Sequence, residues 1–190
     1  MSAEPRDATI TYPGALRARW RWGGSGHVAQ VFALTEAGGE LTDHGHIAAE
    51  APDEVCRAEL RIDGPAGAWT ARFASTLNDE PAAALWDTAG QLVLKYGFHA
   101  YGLDARTGTL RWSHRSATPI VAIFASSRLR HVVVQSELET FAIEADGGVA
   151  WRIAHSDVVT EAQLLGGRLV LTGYGGQTNA IDPASGRAAG

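Results

Sequence analysis

Three observations predict an all-β fold built from repeated four-stranded units. The first is an internal repeat. Leu60-Arg-Ile-Asp63-Gly-Pro-Ala-Gly67, Tyr101-Gly-Leu-Asp104-Ala-Arg-Thr-Gly108, Phe141-Ala-Ile-Glu144-Ala-Asp-Gly-Gly148 and Asn179-Ala-Ile-Asp182-Pro-Ala-Ser-Gly186 each place an acid after an aliphatic residue and a glycine four positions on. The acids lie 41, 40 and 38 residues apart, a period shared by propeller blades and short helical repeats. The second observation separates these two. Gln91-Leu-Val-Leu-Lys-Tyr, His131-Val-Val-Val-Gln and Arg168-Leu-Val-Leu-Thr-Gly precede the last three acids, and such short Val/Leu runs read as strands, with no long apolar stripe at period 3.6. The third is the count of 22 glycines among many short apolar runs, which implies frequent turns. The expected architecture is a β-propeller of about four four-stranded blades in a single domain, residues 1–190.

Taken in order, the first unit (26–76) carries strands at Val28–Leu34, Glu40–Ile47, Cys56–Ile62 and Trp69–Phe73. It is the most degenerate unit: Asp63 and Gly67 keep the turn, while Trp69 stands too early for the place that tryptophan takes later. The second (80–115) reads Ala82–Trp86, Gln91–Phe98, Ala100–Asp104 and Thr109–His114. The third (118–155) reads Ile120–Ala125, His131–Gln135, Thr140–Glu144 and Val149–Ala154. The fourth (158–190) has Thr160–Leu165, Arg168–Gly173 and Thr178–Asp182, then only Arg187-Ala-Ala-Gly190. The tryptophan-bearing segment 14–22 is expected to complete that last blade, which would also remove an open sheet edge.

The acid-to-glycine offset has a local cause. A carboxylate at a strand end can accept backbone N–H groups across the turn, and the glycine supplies the positive φ that closes it. Asp63, Gly67, Asp104, Gly108, Glu144, Gly148, Asp182 and Gly186 are therefore structural residues of the turns. The strand after each turn carries Trp112 in the second unit and Trp151 in the third.

Gly102-Leu-Asp104-Ala-Arg-Thr107-Gly108-Thr-Leu-Arg-Trp112 resembles the tryptophan-docking motif of PQQ-like (quinoprotein-type) β-propeller repeats: Ala, any, Asp, two of any, Thr-Gly, three of any, Trp. Glycine replaces the first alanine here. The third repeat, ending at Trp151, is one residue short; the fourth stops at Gly186; the first keeps only the acid and the glycine. The resemblance implies that Trp112 and Trp151 fill the gap between neighbouring blades. It does not imply a bound quinone. In quinoprotein dehydrogenases that cofactor stacks between a tryptophan and a disulfide of adjacent cysteines, beside a metal ion, in an eight-bladed ring on a much longer chain. This chain has one cysteine, and no cofactor is expected.

Composition narrows the function classes. A formal net charge of −5 makes no case for nucleic acid, which wants a basic stripe. The single Cys56 precludes an intramolecular disulfide and fits a reducing compartment. No apolar run approaches a membrane span, and the first residues lack a basic start and an apolar stretch; a cytoplasmic, bacterial protein is expected. The Asp43-His44-Gly45-His46 cluster is the one metal-like feature, since His-x-His on a strand presents both rings on one face, but its spacing fixes no third ligand. The histidines that follow the tryptophans, His114 and His155, are read as surface residues. Trp22-Gly-Gly-Ser-Gly26 and Thr172-Gly-Tyr-Gly-Gly176 lack the helix and the Gly-Lys-Ser/Thr of a phosphate loop, and suit a connection and a hairpin. No Gly-x-Ser-x-Gly elbow is present.

The repeats absorb these residues into structure and leave no catalytic constellation. The reading is a non-catalytic propeller that binds another protein, or scaffolds one, through its blade loops. The alternative is a small-ligand or metal-binding propeller, or an enzyme, that uses the central channel. A closed four-bladed monomer and a homodimer sharing an eight-bladed ring both fit the sequence.

Overall fold

The computed structural model describes residues 6–23, 40–43, 56–75, 77 and 79–189. These form sixteen strands in four sheets: β1 (Arg6–Tyr12), β2 (Leu16–Gly23), β3 (Glu40–Asp43), β4 (Cys56–Gly64), β5 (Gly67–Ser75), β6 (Ala82–Trp86), β7 (Gln91–Tyr96), β8 (His99–Asp104), β9 (Leu110–Arg115), β10 (Ile120–Phe124), β11 (Val132–Ser136), β12 (Glu139–Ile143), β13 (Val149–Ala154), β14 (Val159–Leu165), β15 (Arg168–Gly173) and β16 (Thr178–Ile181). The sheet orders are β1-β2-β4-β5-β3, β6-β7-β8-β9, β10-β11-β12-β13 and β14-β15-β16. The chain divides into two compact units, Met1–Pro81 with Leu103–Leu110, and Ala82–Gly102 with Arg111–Gly190. Among the described residues no helix is long and apolar enough to cross a membrane.

The second and third sheets follow the expected strands within a residue or two. Their second strands are covered on both faces: every residue of β7 and of β11 is buried, and an apolar run is the composition such a strand needs. Their fourth strands are covered on one face at most, with β13 alternating exposed and half-buried positions at its end, the period-2 signature of a one-sided strand. Within the second unit, one cluster joins Trp86, Val93, Ala100 and Trp112 to Ile120, Val132, Val134, Phe141 and Ile143. A second joins Val133 to Val159, Leu169, Leu171 and Ile181, with Trp151 and Ile153 packed against it.

The first sheet departs from expectation. Segment 14–22 does not complete the last blade: β2 is paired on both edges inside the first sheet, with β1 on one side and β4 on the other. The pairing matches buried residues with buried residues, Ala18 opposite Ile62, Trp20 opposite Leu60 and Trp22 opposite Ala58. A one-residue slip would turn this face outward. The tight Pro13–Ala15 turn that makes β1 and β2 a hairpin keeps the loop-closure cost low. The other face is ionic, with Arg19–Asp63 at 3.3 Å, Arg61–Asp63 at 3.0 Å and Arg72–Glu59 at 3.2 Å. β3 lies parallel to β5 at the sheet's edge, in place of an antiparallel second strand. The expected strand Val28–Leu34 falls outside the described residues, as do His44 and His46.

In the fourth sheet the place beside β16 is taken up by the chain itself. Asp182 N–H donates to Arg187 O at 2.8 Å and Ala189 N–H to Ala180 O at 2.9 Å, with a bridge between Ile181 and Ala188.

Candidate functional site

The four acid–glycine turns are not equivalent. Asp104 Oδ1 accepts the N–H groups of Arg106 (3.0 Å) and Thr107 (3.1 Å), and Gly108 N–H closes onto Asp104 O at 2.8 Å. Asp182 repeats this with Ala184 N–H at 2.9 Å and the Ser185 hydroxyl at 2.7 Å. Those two donors, the Ala184 amide foremost, hold its carboxyl below the usual range. In the third turn the capping carboxylate is Asp146, which accepts Gly148 N–H at 2.9 Å. Glu144 instead faces His131, 4.0 Å from its Nδ1. In the first, β4 and β5 run on to a hairpin at Gly64 and Gly67, and Asp63 is held by Arg61 and Arg19. Its slight burial alone would raise its pKa; the two guanidiniums outweigh that and lower it.

The positive-φ glycines of three turns receive a tryptophan from the preceding sheet. A Cβ on Gly108 (φ 72°) would lie 2.5 Å from Trp69, one on Gly147 (φ 94°) 2.6 Å from Trp112, and one on Gly186 (φ 72°) 2.6 Å from Trp151. Two expectations are corrected here. Trp69 is not misplaced: its indole N–H donates to Ala105 O at 3.1 Å, and it stands early because the hairpin before it is tight. Gly147, not Gly148, takes the positive φ, because that turn is one residue shorter. Trp112 reaches the corresponding carbonyl through a relay. Its indole N–H donates to Gln91 Oε1 at 2.8 Å, and Gln91 Nε2 donates to Ala145 O at 2.7 Å. Gly102 stands where the motif has alanine because a Cβ there would be 2.2 Å from the Trp112 ring.

These residues do not fit the quinone that the repeat's name evokes. Trp69, Trp112 and Trp151 are each seated against a turn glycine. Cys56, the one cysteine, is buried in β4 and cannot form a disulfide with a neighbour. Among the described residues no three His, Cys, Asp or Glu side chains gather as a metal site. Of the Asp43-His44-His46 cluster, only Asp43 lies within the described residues, at the end of β3.

A different set of residues forms a groove. Ala154, His155, Ser156, Asp157, Val159, Leu171, Gly173, Gln177 and Asn179 enclose about 270 Å³ within the second unit. The loop after β13 and the β15–β16 hairpin build it. Asp157 ties them together: it accepts Val158 N–H at 2.8 Å and the Gln177 side-chain amide. The Gln177 amide, then the Val158 and Gly175 N–H groups, keep the Asp157 carboxyl below its usual range, against a small opposing effect of desolvation. Gln177 can reach across only because Gly173 has no side chain, since a Cβ there would lie 2.3 Å from Gln177 Nε2. Tyr174 stands at the hairpin tip, 81% exposed, its N–H donating to Val158 O at 2.8 Å. His155 is half-buried, with Nε2 2.6 Å from Thr140 Oγ1, and desolvation lowers its pKa. His114 is likewise half-buried, 2.6 Å from Gly147 O, so neither histidine is simply a surface residue.

Nothing in the repeat pointed to Asp157, Gln177 or Tyr174, which lie between its motifs. The one available signal was Thr172-Gly-Tyr-Gly-Gly176, a hairpin tip whose single large side chain is an aromatic one.

Residues 98–189 match the family model described as outer membrane protein assembly factor BamB. No curated protein matches the chain. Among solved structures, HIRA(644-1017) is 9% identical, covering 100% of this chain and 53% of its own, with a TM-score of 0.50. BamB from Moraxella catarrhalis is 16% identical, covering 99% of this chain and 51% of its own, with a TM-score of 0.49. The dihydro-heme d1 dehydrogenase NirN in complex with DHE is 16% identical, covering 73% and 34%, with a TM-score of 0.54. The chain thus spans about half the length of the first two and a third of the last. At these identities the likeness is one of fold. The family match makes residues 98–189 PQQ-like β-propeller repeats, with Trp112 and Trp151 docked in their turns, and the chain as a whole shares the propeller fold.

Proposed function

We propose that this propeller is a non-catalytic module that binds another protein through the loop 154–159 and the β15–β16 hairpin. The observation that supports this reading is Tyr174. A large side chain left 81% exposed on a hairpin braced by Asp157 and Gln177 is what a recognition anchor requires. Tyrosine is enriched in interfaces and their energetic centres, and a braced loop loses little entropy on binding. The description of the matched family as an assembly factor accords with a role exercised on other proteins.

The test is affinity capture on the immobilised chain, with Tyr174→Ala as the comparison. A protein held by wild type and lost from Tyr174→Ala, at equal thermal stability of the two, is the expected result. A partner retained equally by Tyr174→Ala and by Gln177→Ala overturns this surface as the site.

A further inference from the structure

We propose that the groove beside Asp157 seats the side chain of a lysine presented by the partner protein, an assignment that rests on the partner-binding reading above. Charge decides the class of guest. Asp157 is the only formally charged group among the groove's lining residues besides the titratable His155, and burial lowers the His155 pKa, disfavouring its charged form. The chain's net charge of −5 steers a cationic partner in the same direction.

Donor and acceptor counts narrow the class further. A lysine ammonium has three donors and no acceptor, and an ionised carboxylate offers about four lone-pair sites. Asp157 already receives Val158 N–H, the Gln177 amide and Gly175 N–H, which leaves one site and not the pair that a bidentate guanidinium needs. Ser156 and Asn179, both exposed and both lining the groove, supply the other two acceptors through Oγ and Oδ1. Ala154, Val159 and Leu171 give the methylene stem an apolar wall of the kind long cationic side chains lie along. The volume of about 270 Å³ falls just below the range of pockets that enclose whole drug-sized ligands, which starts at about 300 Å³. It suits one inserted side chain.

The probe is N-acetyl-lysine methylamide, titrated into ¹⁵N-labelled protein while the amides of Gly173, Gly175 and Asn179 are followed. Saturable shifts with a dissociation constant on the order of millimolar, the scale of one weak contact, are expected. Added salt should weaken binding severalfold. The norleucine counterpart, with the same stem and no charge, should leave these amides in place, as should methyl glucoside. Asp157→Asn should lose the response. Asn179→Leu, which leaves the Asp157–Gln177 brace intact, should weaken it by roughly tenfold, as loss of one charge-assisted hydrogen bond would. Equal shifts with norleucine, saturation by the glucoside, or undiminished lysine binding in both variants overturns the proposal. Retention of a captured partner by Asp157→Asn overturns it while the partner-binding reading stands. Lysine binding with no Tyr174-dependent partner leaves the groove assignment in place and defeats that reading.

Discussion

At the scale of single residues, the turn–tryptophan contacts leave little room. Gly102→Ala places a methyl group where the Trp112 ring lies, 2.2 Å away. Overpacking of this kind costs about 1–3 kcal/mol, so the urea midpoint should fall without a change in slope. Comparison of the second and third sheets yields a change of opposite sign. His131 precedes β11 as Gln91 begins β7, yet His131 Nδ1 and Trp151 Nε1 are both buried without a hydrogen-bond partner. His131→Gln should give Trp151 a relay like the one Gln91 gives Trp112 and raise stability by about 0.5–1.5 kcal/mol. A lower unfolding midpoint would show that the two positions are not equivalent. Asp157 carries the pH dependence of the groove. Its folded pKa is depressed, so the brace contributes fully above the ordinary carboxylate pKa and is lost as pH falls through the depressed value. Exchange of the Val158 and Gly175 amides should quicken over that range in wild type. In Asp157→Asn the exchange should be fast throughout, with no such transition.

At the scale of elements, each docked tryptophan fastens a strand to a turn well separated in sequence. Trp69 ties β5 to the turn at Ala105 and Gly108, both within one compact unit. Trp69→Ala should cost about 3–5 kcal/mol, as aromatic truncations in a core do. Hydrogen exchange should locate the loss in β5 and residues 103–110. Protection lost only around residues 14–22 would contradict this link. The rest of the first sheet explains why it was the hardest part to read. Its buried face is set by the pairing of β2 with β4, strands separated in sequence by more than thirty residues, and no local pattern reports a partner at that distance.

At the scale of the whole molecule, the described residues that carry the family resemblance serve construction. The tryptophans are seated in turns, and one cysteine cannot make the disulfide against which the quinone stacks. Titration with the quinone and calcium should therefore leave tryptophan emission unchanged. Saturable quenching would show a site that these residues do not account for.

The sequence by itself determined the strands of the last three sheets, because period-2 alternation, buried Val/Leu runs and turn glycines are local properties that each of those units states again. It also determined the repeat period and two of the docking tryptophans, Trp112 and Trp151. It misread Trp69 and Gly148, since a motif offset carries over only while turn length is constant, and both turns are shortened. Only the tertiary structure decided where 14–22 pairs, because the choice between sheets depends on which buried face its Ala18, Trp20 and Trp22 complement. It also decided the groove. Asp157 and Gln177 lie twenty residues apart in two loops that no repeat encodes, and the fold of β13 to β16 alone brings carboxylate and amide together.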